Sequence, residues 1–192
     1  DKGSFEETDM INPRNPYSAT KSAADHLVLS YANTYGVKAV ITRSSNNYGP
    51  YQNPEKFIPK IITNAVQGKV LPIYGKGLNM RDWLFVDDNC AAIHTVLEKG
   101  KSGEIYNVGC GNEYKNIEVA KLILKIMGKP ESLIQFVDDR PGHDFRYSLN
   151  TEKIRKMGWK PQGTFENALR KTIEWYQNNR WFWNILAGFS RK

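Results

Sequence analysis

The sequence has 192 residues, of which 40% are apolar and 12% aromatic, so it can bury a sizeable core as one large domain or two small ones. No apolar run approaches the roughly 18 residues of a membrane span, and the first residues lack the basic flank and apolar stretch of a signal peptide, so we expect neither. The net charge of +7 is scattered along the chain, which favours solvated helix faces over a nucleic-acid surface.

The first predicted element is a helix that begins at Pro16, a residue that suits the first helical turn, and continues through an alanine-rich stretch. Five of its residues share one face, and we expect that face to be buried: Ala19, Ala23, Ala24, Leu27 and Tyr31.

Strands and helices then alternate along the chain, which predicts an α/β layered fold. Strands are predicted at 37–46, 70–75, 83–86, 103–112 and 133–139. Helices are predicted at 57–69, from Asp87 or Asp88 to 100, and at 116–128, 150–159 and 164–179. Polar residues follow several strands, and ligands of such folds bind at the carboxyl ends of strands.

Helix ends are marked by capping residues. Asp87 or Asp88 is predicted to cap the second of these helices, which Gly100 ends. Gly128 ends the helix that starts at 116, and Thr164 opens the last one.

Two cysteines, Cys90 and Cys110, lack metal-ligand spacing. We therefore expect two thiols in a protein core and no metal site. Unpaired cysteines also suit a reducing cytoplasm.

Tyr17 and Lys21 stand four residues apart in the first helix, so their side chains lie one turn apart on one face. A free phenol has a pKa of about 10 and is a poor base at neutral pH, but a nearby ammonium favours the phenolate and lowers that pKa. This arrangement suits proton transfer. The alternative is a surface lysine beside a packed tyrosine, because about one Tyr-x-x-x-Lys match is expected by chance in a chain with 10 tyrosines.

Four stretches occur together in this order: YSATK at 17–21, SNNYGPYQNPEKFIP at 45–59, LPIYGKGLNMRDWLFVDD at 71–88 and DRPGHDFRY at 139–147. With them the chain resembles the extended short-chain dehydrogenase/reductase family, and within it the dTDP-glucose 4,6-dehydratases, from about residue 10 to residue 183. Tyr-x-x-x-Lys is shared by the whole superfamily, whereas the second and fourth stretches are narrower and point to the dehydratases.

The resemblance implies an enzyme that uses NAD and a dTDP-sugar substrate. In this family a tyrosine takes the proton of the sugar 4-hydroxyl while hydride passes to NAD, water leaves across C5 and C6, and the hydride returns to C6. The implied fold is α/β, with an incomplete Rossmann-type parallel sheet and a smaller mixed α/β substrate-binding domain. Residues 1–48 and 84–111 would belong to the NAD-binding domain, and 49–83 and 112–192 to the substrate-binding domain.

The resemblance also implies roles for individual residues. Tyr17 would be the catalytic base, with Lys21 lowering its pKa and holding the nicotinamide ribose, and Asn47 would contact the cofactor. The implied substrate-binding residues are Asn46, Lys56, Phe57, Pro72, Ile73, Tyr74, Arg81, Asn116, Asp139, Arg140 and His143. Among them, residues 72–74 would flank the thymine and Arg81 would hold the pyrophosphate. The alternatives are a surface ion pair of Arg81 with Asp82 and a turn role for His143.

Two features of the family are absent from this sequence. Its Gly-x-x-Gly-x-x-Gly phosphate loop does not occur, and neither does its Thr-Asp-Glu; we interpret the run at 6–9 as an ordinary loop. We therefore expect the chain to be the C-terminal portion of a longer enzyme, inactive alone and with an unpaired edge on the strand near residue 40. We further expect a cytoplasmic homodimer paired through the Tyr17 helix, without nucleic-acid or membrane partners.

Three other interpretations remain. The first is a related UDP-sugar epimerase or decarboxylase. The second is a nucleotide-sugar-binding module without catalytic activity. The third, suggested by charge alone, is a nucleic-acid binder, whose affinity would fall steeply with added salt.

Overall fold

A computed structural model of the chain describes residues 3–111, 113–139, 142 and 144–189. Its α-helices are α1 (Pro16–Tyr35), α2 (Phe57–Val66), α3 (Val86–Lys99), α4 (Asn116–Met127), α5 (Glu152–Lys156), α6 (Phe165–Asn178) and α7 (Arg180–Phe189). Its strands are β1 (Ile41–Ser44), β2 (Asn46–Tyr48), β3 (Leu71–Tyr74), β4 (Met80–Phe85), β5 (Ile105–Val108), β6 (Glu113–Lys115) and β7 (Ile134–Val137). A short 3₁₀ helix, Glu131–Leu133, precedes β7.

The strands in the described part of the chain form three small sheets, the third of which has three strands. β1 runs parallel to β5, with Ile41 opposite Ile105, and β3 runs parallel to β7. β4 is the centre of the third sheet, with β2 parallel on one side and β6 antiparallel on the other. Helices separate the parallel partners along the chain, as crossover connections require. The predicted α/β class with parallel strands is confirmed.

The larger hydrophobic core lies where α2, α4 and α6 meet β3 and β4. Each of the three helices has one apolar face, and Ile62, Leu124 and Leu169 on those faces are fully buried. Burial of a leucine or isoleucine side chain is worth about 1.5–3 kcal/mol, so these helices anchor that half of the chain.

A smaller core joins α3, β5 and α5. Ile154 and Trp159, which follow the predicted domain boundary, belong to the same buried cluster as Tyr106 of β5. β4 serves both cores, because Trp83 belongs to the larger core and its neighbour Leu84 to the smaller one. Because successive side chains of a strand point to opposite faces, the two cores lie on opposite sides of β4. The division into domains remains a prediction.

Helix α1 begins as predicted but is not buried. Asn15 caps it by accepting a hydrogen bond from Ser18 N at 2.8 Å, and Gly36 ends it in the left-handed conformation. None of its residues is buried, and Leu27 and Tyr31 are 60% and 51% exposed, so the predicted buried face is wrong. The physical reason is that the two cores form among residues that follow this helix, and neither cluster includes a residue of α1.

Two further corrections concern capping and burial. Phe85 occupies the N-cap position of α3, so Asp87 and Asp88 lie in its first turn, where carboxylates interact favourably with the helix dipole, and the predicted aspartate cap is wrong. Cys90 is exposed on α3, so the expectation that it is a core thiol is also wrong. The Gly100, Gly128 and Thr164 boundaries are confirmed.

The sequence did not predict β6 or α7. β6 is only three residues long and exists by pairing with β4, in which Tyr114 lies opposite Arg81. Helix α7 follows α6 after one residue, Asn179. In the part of the chain that the structure covers, no helix combines the length and the apolar character needed to cross a bilayer.

Candidate functional site

Arg81 is the second residue of β4 and is only 6% exposed. Its Nη1 donates to the carbonyl oxygens of Met80 and Phe145, at 2.6 and 3.2 Å, and its Nη2 donates to the carbonyl oxygen of Asp144 at 2.6 Å. A surface ion pair is therefore excluded, because the guanidinium is buried and holds the segment 144–147 beside β4. A buried arginine keeps its charge, so it supplies positive potential at this end of the strand.

Tyr147 lies directly under Arg81, with the guanidinium carbon 4.6 Å from the ring centre. Its hydroxyl donates a hydrogen bond to the Asp144 carboxylate. Burial, together with the hydrogen bond to Asp144 and its charge, raises the pKa of Tyr147 to about 12, so the hydroxyl keeps its proton at neutral pH.

Tyr147 was not among the predicted site residues. The signal was present, because Tyr147 is the last residue of the DRPGHDFRY stretch. What the sequence could not show is that Arg81, 66 positions earlier by residue number, would stack on it.

The Tyr17–Lys21 pair lies on the open surface of α1. Tyr17 is 74% exposed and Lys21 is also exposed. The guanidinium of Arg43 on β1 binds the Asp25 carboxylate at 2.8 Å and the carbonyl oxygen of Glu7 at 3.3 Å. The pair is therefore accessible to a large ligand.

Asn46 and Asn47 lie on β2, opposite Trp83 and Leu84 of β4. Asn47 Nδ2 donates to the carbonyl oxygen of Ser45 at 3.1 Å, whereas its buried Oδ1 has no hydrogen-bond partner among the described residues. Both asparagines thus stand on the strand next to that of Arg81.

Three more predicted residues lie near the same ladder. Lys56 is the exposed N-cap residue of α2, and Phe57 stacks on Trp83 with ring centres 5.7 Å apart. Asn116 opens α4 directly after β6, and its backbone N–H donates to the Asn79 carbonyl oxygen at 3.0 Å. These residues and the two asparagines form one group around β4.

The residues predicted to flank a base form a second group, around β3. Pro72 is partly buried and Tyr74 is 40% exposed, whereas the side chain of Ile73 is fully buried in the larger core. Ile73 can therefore face a ligand only with its backbone. Asp139 is exposed, and its Oδ2 would lie 3.2 Å from a Cβ built on Gly75, so it is close to the end of β3. The predicted residues Arg140 and His143 lie outside the described residues.

The described titratable groups provide no metal site, since they contain no cluster of three or more His, Cys, Asp or Glu side chains able to hold an ion. Cys110 is partly buried, and burial together with the charges of Asp82 and Asp88 raises its pKa to about 12. Such a thiol is unreactive at neutral pH.

Comparisons with known proteins agree on one family. The sequence profile of GDP-mannose 4,6 dehydratase matches residues 1–172. dTDP-glucose 4,6-dehydratase 1 of Escherichia coli K12 is 51% identical over 193 aligned positions, which cover 96% of this chain and 54% of that protein. The chain therefore spans about half the length of the curated relatives it matches.

Solved structures show the same relationship. The dTDP-glucose 4,6-dehydratase DesIV of Streptomyces venezuelae, with NAD and the ligand TYD bound, superposes with a TM-score of 0.94 at 45% identity, covering 97% of this chain and 58% of that one. UDP-glucose 4-epimerase of Thermotoga maritima, with UDP-glucose, gives a TM-score of 0.87 at 27% identity, covering 92% of this chain and 58% of that one. The fold is thus common to both enzymes, and the sequence is closer to the dehydratases.

Proposed function

Because the chain belongs to the GDP-mannose 4,6 dehydratase family, we propose that it is the substrate-binding and proton-transferring part of an NAD-dependent dTDP-glucose 4,6-dehydratase. The observation that supports this most is the buried guanidinium of Arg81, which lies against the ring of Tyr147 and belongs to the strand next to that of Asn46 and Asn47. A reaction on a sugar nucleotide needs a cation for the diphosphate, which Arg81 would supply, and a proton-transfer group, for which Tyr17 on α1 is the candidate.

The proposal gives the Tyr17 phenol the task of taking the proton of the sugar 4-hydroxyl. Lys21 lies one turn along α1 on the same face, where it would hold the nicotinamide ribose beside Tyr17. Tyr17, Lys21 and Asn47 would hold NAD, which supplies the hydride acceptor when it is bound. The open surface of α1 around the first two residues fits a large polar ligand.

The β4 and β3 groups are proposed to bind the nucleotide. Arg81 would attract the diphosphate, and Asn46, Lys56, Phe57 and Asn116 would surround it. Pro72, Tyr74 and the Ile73 backbone would flank the base, with Asp139 at the end of the same strand. Arg140 and His143 keep their predicted roles as part of this proposal.

Calorimetric titration of the chain with dTDP and with UDP tests the substrate class. We expect tighter binding of dTDP, and Arg81→Ala should weaken that binding by roughly 2–4 kcal/mol, because it removes a buried charged contact. Arg170→Ala, which alters an exposed arginine on α6, is the control. Equal affinity for UDP would favour the related UDP-sugar epimerase, and undiminished binding by the Arg81 variant would remove Arg81 from the site.

We also propose that the protein pairs with a second copy through α1 and works in the cytoplasm. Leu27, Tyr31 and Tyr35 are exposed along this helix, and an exposed apolar face of this kind favours association. The free thiols Cys90 and Cys110 suit a reducing compartment. Sedimentation of the wild type and of Leu27→Glu should show a dimer and a monomer; a monomeric wild type would contradict the pairing.

A further inference from the structure

The segment 49–56, which we call the substrate loop, connects two sets of proposed site residues. Asn46 and Asn47 precede it on β2, and Lys56 and Phe57 lie at its end, where α2 begins. The conformation of this loop therefore sets the distance and direction between the two sets.

Tyr51, in the middle of the substrate loop, has a left-handed backbone conformation with φ of 62°. Among the described residues it is the one residue other than glycine with positive φ, and a bulky side chain in this region costs conformational energy. Its ring packs against Trp175 of α6 and Phe182 of α7, with centres 4.6 and 5.6 Å apart. The aromatic contacts are what offset the unfavourable backbone.

Tyr176, the neighbour of Trp175, holds the next residue of the loop. Its hydroxyl donates to the carbonyl oxygen of Gln52, and burial raises the pKa of Tyr176 well above its ordinary value, so it remains a donor. The Gln52 side chain continues the connection, because its Nε2 donates to the Asn47 carbonyl oxygen at 2.7 Å. A chain of hydrogen bonds thus runs from α6 to a proposed ligand-binding residue.

The helices that hold the loop are themselves well fixed. The rings of Trp175 and Phe182 lie 5.2 Å apart, and Trp183 Nε1 donates to the Tyr176 carbonyl oxygen at 3.0 Å from a buried position. Tyr176 is fully buried.

We propose that Tyr51, Trp175, Tyr176 and Phe182 form an aromatic clamp that positions the substrate loop for nucleotide-sugar binding. The identity of the ligand rests on the proposed function, whereas the positioning of the loop by the clamp does not. The clamp residues are positioning residues: they act on the ligand through the loop, and the C-terminal helices thereby become determinants of affinity.

The first experiment measures hydrogen exchange in the chain without ligand. Tyr176→Phe removes the hydroxyl and leaves the Gln52 carbonyl oxygen unpaired, so the amides of 49–56 should exchange about 5- to 30-fold faster. Tyr106→Phe is the matched control. Tyr106 is also a buried tyrosine, and its hydroxyl binds the Lys101 amide at 2.9 Å, in the smaller core. Its loss should leave exchange in 49–56 unchanged.

The second experiment measures dTDP affinity by calorimetry. Tyr176→Phe should weaken dTDP binding by about 5- to 30-fold. Tyr106→Phe should bind dTDP like the wild type, even if both variants melt at a lower temperature. Two variants separate the Tyr51 ring from its backbone. Tyr51→Phe keeps the ring and should bind like the wild type, whereas Tyr51→Asn tolerates left-handed φ but has no ring and should bind more weakly.

The outcomes test separately whether the clamp exists and whether it affects ligand binding. Faster exchange confined to 49–56 in Tyr176→Phe and Tyr51→Asn supports the clamp, and the same effect in Tyr106→Phe overturns it as a loss of general stability. Unchanged dTDP affinity in Tyr176→Phe and Tyr51→Asn overturns the link to binding. If the wild type binds no dTDP, the proposed function fails and hydrogen exchange alone decides whether the clamp exists.

Discussion

The helix α1 and the substrate loop both hold proposed site residues, but they are fixed to the rest of the molecule in opposite ways. Helix α1 has twenty residues, none of them buried, and an ion pair from Arg43 to Asp25 is its most definite attachment to the sheet. The substrate loop is short, yet aromatic rings and hydrogen bonds hold it against α6 and α7. The half of the site proposed to bind substrate is therefore held against the helices of the larger core, whereas the half proposed to transfer a proton lies on the open surface of α1.

This difference indicates what fixes the positions of the two kinds of proposed site residue. The residues proposed to bind substrate are positioned by packing within the chain. Tyr17 gains its position from α1 as a rigid unit, and thus from whatever fixes that helix. Four measurements test this contrast, in order of decreasing expected effect.

The largest effect should come from Tyr17→Phe in an enzyme of the relatives' length that contains this chain. Loss of the phenol removes proton transfer, so turnover of dTDP-glucose with NAD should fall by about 10²–10⁴-fold while dTDP affinity is unchanged. Tyr35→Phe, at the far end of the same helix, is the control. Turnover close to that of the wild type would remove Tyr17 from the reaction.

The second effect concerns stability and compares two leucines. Leu169 of α6 is fully buried, whereas Leu27 of α1 is 60% exposed. Leu169→Ala should lower the free energy of unfolding by about 2–5 kcal/mol, because it removes buried methyl groups and leaves a cavity. Leu27→Ala should change it by less than about 0.5 kcal/mol. Denaturant unfolding at a low protein concentration, where pairing through α1 is minimal, measures both, and similar losses would contradict the contrast.

The third effect tests the attachment of α1. Asp25→Asn keeps the size of the side chain but weakens the partly buried contact with Arg43, and should cost about 1 kcal/mol. Hydrogen exchange should therefore become about fivefold faster in residues 16–35 and remain unchanged in α2. Glu131→Gln, which breaks the exposed pair with Lys121, is the control. Unchanged exchange in α1 would mean that other contacts hold the helix.

The smallest effect is a pH dependence of the free energy of unfolding, which arises from an ion pair beside β6. The Arg146 guanidinium binds both oxygens of Glu113, at 2.6 and 2.7 Å, and this hydrogen bonding lowers the pKa of Glu113. Because the folded-state pKa lies below the unfolded one, the contribution is fully present above the unfolded value and is lost as the pH falls through the folded value.

The variant Glu113→Gln should accordingly be less stable than the wild type by about 1 kcal/mol at neutral pH. The difference should begin to shrink as the pH falls below the unfolded value of about 4.3, and should disappear once the pH lies below the lowered pKa of the folded state. Thermal unfolding across this range measures it. A difference that stayed constant with pH would show that the ion pair contributes nothing through its charge.

Local signals in the sequence were sufficient for most helix ends, whereas the predicted strands at 37–46 and 103–112 were longer than β1 and β5. Gly128 adopts the left-handed conformation that ends α4, and the Thr164 side chain accepts a hydrogen bond from Asn167 N to open α6. These features depend on residues within one or two turns of each other. Four members of the β4 group, Asn46, Asn47, Lys56 and Phe57, were likewise proposed because they stand in one contiguous stretch, 45–59, that a resemblance could match.

Features that depend on distant partners were missed. The apolar residues on α1 give no indication of whether a layer covers them, so Leu27 was wrongly predicted to be buried. Tyr147 gains its place from Arg81, and Tyr51 gains its conformation from Trp175. No local pattern encodes such pairs, because each residue alone is an ordinary aromatic or basic side chain.

The clamp also has a consequence for the order in which the protein matures during synthesis. The hydrogen bond between Tyr176 and Gln52 joins residues 124 positions apart. At about 5–20 residues per second, a ribosome needs about 6–25 s to pass from one to the other. Throughout that interval the nascent loop lacks its partner. A nascent chain stalled before α6 would therefore contain most of the proposed ligand contacts without the geometry that unites them, and would be recognised by chaperones rather than by nucleotide.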